Sequence, residues 1–252
     1  MWLLLVSGGL ATGCAEAATD RITQYAVRIL KTLPHSTQSF TQGLLYYQGM
    51  LYESTGHYGQ STLQRIDATS GIVHESLAVP DVFAEGLVRW GNRLIQLTWQ
   101  EHRAFIYNVT DFSRVGEFQY DTEGWGLTAD DDQFIMSDGS DSLYFRDPFT
   151  FNIIRTVQVT LDNTPLHRIN ELEYIQGLVY ANIWGEDVIV QIDPATGQVR
   201  GIIDARPLVR MQPALGRDDV LNGIAYNPET NTLYLTGKNW PMLFEVALEQ
   251  RF

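Results

Sequence analysis

Five short apolar steps recur along the chain, and each opens on a similar tripeptide. They begin at Gln42-Gly43-Leu44, Glu85-Gly86-Leu87, Trp125-Gly126-Leu127, Asn170-Glu171-Leu172 and Asn222-Gly223-Ile224. The middle residues lie 40 to 52 positions apart. Beyond each opening comes a second strand-like run: Leu51 to Thr55, Leu94 to Trp99, Phe134 to Gly139, Val179 to Trp184 and Leu233 to Lys238. A fixed period with several short strands per repeat predicts an all-β fold, a five-bladed β-propeller. A propeller gathers equivalent positions of all blades around one axis. Residues 40 or more apart in sequence then share one pocket.

The pattern sets the blade limits at Gly43 to Leu77, Glu85 to Phe118, Trp125 to Val159, Asn170 to Ile203 and Asn222 to Leu248. The last blade has only about three strands. The alternating segment Tyr25 to Leu33 is expected to supply its outer strand, joining the two ends of the chain and leaving no open edge. Turns of the form Asp-x-x-x-Gly recur at Asp67 to Gly71 and Asp193 to Gly197. The connection Ala205 to Val220 carries two prolines and is the candidate rim or lid loop. Asp130-Asp131-Asp132 reads as a solvated hairpin tip, because a calcium loop needs further oxygen ligands at set spacing.

Length and charge narrow the classes. The chain has 252 residues, enough for one large domain with a sizeable core. A net charge of -13 argues against nucleic acid and anionic membrane as partners, since both need clustered Lys and Arg. Residues 1–20 read as a leader, with residues 21–252 forming the single propeller domain. Its apolar run, Trp2 to Val6, is too short to span a bilayer. Two processing routes fit. Ala15-Glu16-Ala17 is a small-x-small cleavage pattern, and Ala11-Thr12-Gly13-Cys14 resembles a lipobox that would place a lipid anchor on Cys14. Either route makes the protein exported: periplasmic, extracellular or membrane-anchored. Cys14 is the only cysteine, so the domain has neither disulfide nor thiol chemistry. The five histidines show no ligand spacing, so no metal site is expected. A closed propeller needs no partner, and a monomer is expected.

The residue before each opening Gly is informative. Gly itself lets inner strands crowd the axis. Its predecessors, Gln42, Glu85, Trp125 and Asn222, with Asn170 in the fourth repeat, are polar or aromatic. They predict a binding site at one mouth of the channel, the competing reading being a ladder of hydrogen bonds between blades. Glu85 is the one carboxylate this ring supplies. Trp99, Trp125 and Trp184 fall near it by register and would raise its pKa by excluding water. Lys238 ends the matching strand of the fifth blade and could pair with Glu85 or polarise a carbonyl. Asn170, Asn182 and Asn222 offer amide hydrogen bonds to a substrate. Glu53 and Asp138 are read as loop supports.

Longer strings carry a family resemblance. Ser39-Phe40-Thr41-Gln42-Gly43-Leu44, Phe83-Ala84-Glu85-Gly86-Leu87, Gln96-Leu97-Thr98-Trp99, Gly124-Trp125-Gly126-Leu127-Thr128, Asn170-Glu171-Leu172-Glu173-Tyr174, Ala181-Asn182-Ile183-Trp184 and Thr236-Gly237-Lys238-Asn239-Trp240-Pro241 resemble the plant and bacterial glutaminyl cyclases, in order and over nearly the full length. The resemblance implies a five-bladed propeller that converts N-terminal glutaminyl residues of peptides and proteins to pyroglutamate and releases ammonia, with no metal or cofactor. It implies that Glu85 is the catalytic carboxylate and that Asn170 and Lys238 are the family's pocket asparagine and lysine; in the cyclisation chemistry Asn170 or Lys238 would stabilise the oxyanion. Phe40, Gln42, Phe83, Trp99, Trp125 and Trp184 would line the substrate site. Two other classes compete: a non-catalytic scaffold or sensor, and a propeller lactonase with an axial calcium, for which one ring carboxylate is thin.

Overall fold

The computed structural model describes residues 22–213 and 216–251. The leader expectation, with Cys14, lies outside the described residues. Five strands form the centre: Thr41–Tyr47, Ala84–Trp90, Leu127–Ala129, Ile169–Ile175 and Leu221–Asn227. Each packs on the next, and the fifth packs on the first, so the ring closes. Each also begins a four-stranded antiparallel unit, the propeller blade. The observed blade limits agree with the sequence pattern to within a few residues; the first runs from Thr41 to Ala78.

Burial explains the pattern. Inner and second strands are largely buried on both faces, because blades stack on either side of them. Outer strands such as Val73–Ala78 and Ile153–Gln158 alternate exposed and half-buried residues. The core is correspondingly divided, with one apolar cluster between each pair of neighbouring blades. Between the second and third, for example, Val88, Ile95 and Leu97 meet Leu127, Phe134 and Met136.

The N-terminal strand Thr23–Pro34 pairs antiparallel with Met242–Arg251 and completes the fifth blade as expected. It also pairs in parallel with Val199–Asp204 of the fourth blade through Thr23 to Ala26. That second pairing lashes two blades into one eight-stranded sheet. The Asp-x-x-x-Gly turn proves more general than its glycine suggests. The same backbone turn occurs at Asn108 to Phe112 and Asp147 to Phe151, with Phe at positive φ where the first and fourth blades have Gly. The triple Asp forms the tip of a hairpin, where Asp130 accepts the backbone N–H groups of Asp132 and Gln133. The 205–220 connection holds a short helix, Arg206–Val209, anchored by fully buried Leu208.

The opening tripeptides coincide with breaks in register. In four blades the pairing of inner and second strands slips across them, at Thr41/Gly43, Ala84/Leu87, Ile169/Leu172 and Leu221/Ile224. A bulge re-aims one side chain out of the pleat. Gly43, Gly86 and Gly126 lie against the next blade's backbone. A Cβ on Gly43 would sit 2.5 Å from Leu87 N, and one on Gly126 would sit 2.0 Å from Asn170 O.

The fourth blade breaks this rule with Glu171, which corrects the reading of a ring with a single carboxylate. Its carboxyl group bridges neighbouring blades across the axis. Oε1 accepts the Leu44 N–H of the first blade at 3.1 Å, and Oε2 accepts the Ile224 N–H of the fifth at 2.9 Å. Glu173 lies further along the channel and accepts the Tyr226 N–H. Its carboxyl is pushed up to about 8, chiefly by burial and against that hydrogen bond. The folded protein therefore holds a proton there from the ordinary carboxyl range up to about pH 8, and the unfolded protein does not. This contribution to stability is fully present below the unfolded pKa and is lost as pH rises through the folded one. Glu173 also lines the cavity at the far mouth, where water moderates the effect. Thermal melts from about pH 5 to about pH 9, a range that brackets the raised pKa, should show a decline that Glu173→Gln flattens; an identical slope in the variant would dissociate Glu173 from it.

Candidate active site

The starts of the inner strands and the ends of the second strands meet at one mouth of the channel. Gln42, Glu85, Trp125 and Asn170 come from the first set, and Trp99, Trp184 and Lys238 from the second. With Phe40, His57 and Phe83 they line a cavity of about 400 Å³. A larger cavity, about 750 Å³, lies at the opposite mouth, where Tyr46, Trp90, Asp130 and Glu173 stand. Its charged residues are Arg89, Asp130, Asp131 and Glu173, without the aromatic wall of the smaller cavity, so size alone does not identify the site.

Glu85 is 4% exposed, and Oε1 accepts Gln42 Nε2 at 2.9 Å. Its pKa is raised well above the usual carboxyl range. Burial is the main cause; the Lys238 charge opposes it, and Glu123 and Glu101 reinforce it. Lys238, equally buried, is lowered to about 8, by burial first and against the pull of Glu85 and Asp218. The two groups thus titrate much closer together than a free carboxyl and ammonium. Lys238 Nζ also lies 4.6 Å from the centre of the Phe40 ring, a cation–π contact that holds the ammonium over the wall. Asn170 has no side-chain hydrogen bond to any described residue, and its buried Oδ1 is unpartnered. An orphaned buried acceptor costs stability unless a ligand or water completes it.

One wall is aromatic. Phe83 meets Phe40 edge-on at 6.1 Å and Trp99 at 5.7 Å, and His57 lies 4.1 Å from Phe40. Gly56 leaves room for Phe83, since a Cβ there would lie 2.3 Å from the ring. Gly139, at φ +82, does the same for Trp125.

Asn182 and Asn222, expected to contact substrate, do not line the pocket. Both are fully buried. Asn182 Oδ1 accepts the Gly223 N–H, and Asn222 Nδ2 donates to Thr41 O and Gln42 Oε1. Gln42 therefore receives from Asn222 and gives to Glu85, a relay that fixes the amide's orientation. Both readings of the ring hold, for different members: part is pocket wall and part is a ladder between blades. Glu53 and Asp138 support loops, the first under His35 and Thr41, the second under Ser140 and Tyr144.

One pocket residue, His57, and one residue that supports the wall, Glu123, are not signalled by the sequence pattern. His57 is one of five scattered histidines; its position beside Phe40 follows from a turn at φ 93 that no spacing rule reveals. Glu123 sits outside the repeated positions. Its Oε2 accepts the indole N–H of Trp99 at 2.7 Å and of Trp125 at 3.0 Å.

The profile of the glutamine cyclotransferase family matches residues 2–248. This chain belongs to the glutamine cyclotransferase family. It is 37% identical over 250 residues to the glutaminyl-peptide cyclotransferase of Arabidopsis thaliana, covering 97% of this chain and 77% of that protein. Its fold superposes on the crystal structure of Myxococcus xanthus glutaminyl cyclase with a TM-score of 0.88 and 40% identity, covering 92% of this chain and 100% of the other. Among the cyclotransferase's described residues, no group of His, Cys, Asp and Glu is arranged to hold a metal ion.

Proposed function

We propose that this cyclotransferase converts N-terminal glutaminyl residues of peptides and proteins to pyroglutamate, releasing ammonia. The observation that carries the reading is the buried Glu85. It is held by an amide rather than an ion pair, and burial lifts its pKa toward that of an α-amine. An α-amino group has a pKa of about 7.7–8.0, so a carboxyl raised toward it can exchange protons with it efficiently.

The α-nitrogen attacks the γ-carbonyl carbon of its own side chain, closing a five-membered ring. Glu85 takes the proton from the attacking nitrogen. The oxyanion that forms on the γ-oxygen is stabilised by the Lys238 ammonium or the Asn170 amide. When the bond between the γ-carbon and the amide nitrogen breaks, Glu85 returns the proton to the departing nitrogen, which leaves as ammonia. The pocket holds the glutaminyl rotamer that brings nucleophile to carbonyl; orientation of this kind supplies roughly 7 kcal/mol or more in good cases. Trp99, Trp125 and Trp184 exclude the water that would hydrolyse the amide to glutamate.

Purified protein should release ammonia from a Gln-initiated dipeptide, with loss of one ammonia from the peptide mass. Release that persists with a chelator fits this chemistry. Folded protein that releases none would refute the reading. If the Lys238 cation stabilises the oxyanion, kcat declines as pH rises through about 8, because the charge is lost there. Lys238→Arg keeps its charge and should move that alkaline limb upward; a limb at the same pH would assign it to another group.

Export belongs to the same proposal. The mass of the mature N-terminus from fractionated cells distinguishes cleavage at Ala15-Glu16-Ala17 from lipidation at Cys14, and an intact cytoplasmic protein would refute both.

A further inference from the structure

The pocket's two best-fixed indoles share one anchor. Glu123 lies in the segment linking the second and third blades. Its Oε2 takes both indole N–H groups, and its Oε1 takes Gln100 Nε2 at 2.9 Å. The surrounding backbone is tied as well: Gly124 N–H donates to Trp99 O at 2.9 Å, and Trp99 N–H to Phe83 O at 2.9 Å. Trp125 is further confined by Gly139, where a Cβ would lie 2.6 Å from the ring. Three donors converge on one side chain, and only a carboxylate is all acceptor.

The indole N–H groups of Trp99 and Trp125 are therefore spent. They can meet a substrate only with ring faces and edges. Trp184, the third pocket indole, has no such hydrogen bond among the described residues. Polar recognition of the glutaminyl side chain then falls to Gln42, Asn170, Lys238 and Trp184.

We propose that Glu123 is a positioning residue for the cyclisation: it locks Trp99 and Trp125 so that they wall the glutaminyl side chain, and it sets a fixed negative charge behind that wall. The inference rests on the cyclase reading. The charge has a direction of effect. Burial raises the Glu123 carboxyl, but hydrogen bonds from Gln100, Trp125 and Trp99 and the charge of His102 outweigh it and bring it below its ordinary value. Glu123 is thus ionised, and its charge helps hold Glu85 high, together with Glu101 and against Lys238. Tyr120, buried nearby, stays neutral at these pH values, being pushed up well beyond its ordinary range by burial. Removing the Glu123 charge lets Glu85 ionise at lower pH. It does the same for deprotonation of the bound amine. Both effects move the acid limb of kcat downward.

The test uses the full-length protein with Glu123→Gln and Glu123→Ala, measuring kcat and KM on a Gln-initiated dipeptide across pH, with tryptophan emission and a thermal melt alongside. Glu123→Ala frees both indoles. It should lower kcat roughly 10- to 100-fold, as misplacement of about 1 Å does, and make the emission more accessible to an added quencher. Glu123→Gln keeps one oxygen for the indoles but sets its NH₂ against that of Gln100. It should fall between wild type and Ala, with its acid limb at lower pH. Kinetics within about twofold of wild type and an unmoved acid limb in both variants would overturn the proposal, since misplacement of the indoles costs far more. So would a lower melting point with unchanged kcat per folded molecule, since Glu123 would then only stabilise the fold. Wild-type protein that releases no ammonia would fail the cyclase reading instead, and the quencher measurement would still report on the indole lock.

Discussion

Glu85→Gln should lose roughly 10²- to 10⁴-fold in kcat, the span attributed to positioned acid–base groups, while folding normally. The substitution is nearly isosteric and removes a buried ionisable group; Lys238, already lowered to about 8 by burial, sheds its proton more readily without the Glu85 charge, which limits the cost of leaving it unpaired. Gln42 Nε2, which donates to Glu85 Oε1, still finds a carbonyl oxygen in the new amide. The melting temperature should therefore stay near that of wild type or rise. KM should change little, because the pocket walls are untouched. A drop in kcat without a drop in stability identifies the proton carrier. Turnover within a few-fold of wild type would remove Glu85 from the mechanism and leave Lys238 and His57 as the remaining titratable groups of the pocket.

Much of the architecture could be read from pattern alone, for an identifiable reason. Each blade buries its inner and second strands on both faces, so each blade writes the same apolar double run into the sequence. Three of the openings need Gly because Gly43, Gly86 and Gly126 lie against a neighbouring backbone, which punctuates the repeat. The missing strand of the fifth blade was legible because Thr23–Pro34 alternates and the final repeat is short. The pocket members that belong to repeated positions, from Gln42 through Lys238, were legible for the same reason. Residues that act through contacts peculiar to one blade were not. Glu123 reaches Trp99 from a linking segment, and His57 reaches Phe40 from a turn; neither is announced by a period. Asn182 and Asn222 show the opposite error. They stand near the same mouth, but their amides are spent between blades, Asn182 on the Gly223 N–H and Asn222 on Thr41 O and Gln42 Oε1. Register predicts which mouth a residue approaches, not whether its side chain faces the cavity or the next blade.

Glu171→Gln should be among the most destabilising conservative changes in the protein, although Glu171 lies outside the pocket. The residue is 1% exposed and joins three blades through two backbone N–H groups. Both carboxyl oxygens keep a lone pair whether or not the group is protonated. An amide cannot replace them, because its NH₂ would confront either Leu44 N–H or Ile224 N–H. One buried donor is then left unsatisfied, at a cost of about 1–3 kcal/mol; Glu171→Ala orphans both and should cost about 2–6 kcal/mol. Urea denaturation of the two variants measures this directly. Effects within about 0.5 kcal/mol, the range of inert surface changes, would mean that water replaces the carboxylate on the axis. The first three blades close their part of the ring with glycine against neighbouring backbone. Here the first and fifth blades, where the ring is joined, are bridged from the fourth by one side chain. Loosening that junction should also cost activity, because Gln42 and Lys238 stand on those two blades and Asn170 adjoins Glu171 itself. A parallel fall in stability and kcat for Glu171→Gln, against a fall in kcat alone for Glu85→Gln, would separate the residue that builds the ring from the residue that uses it.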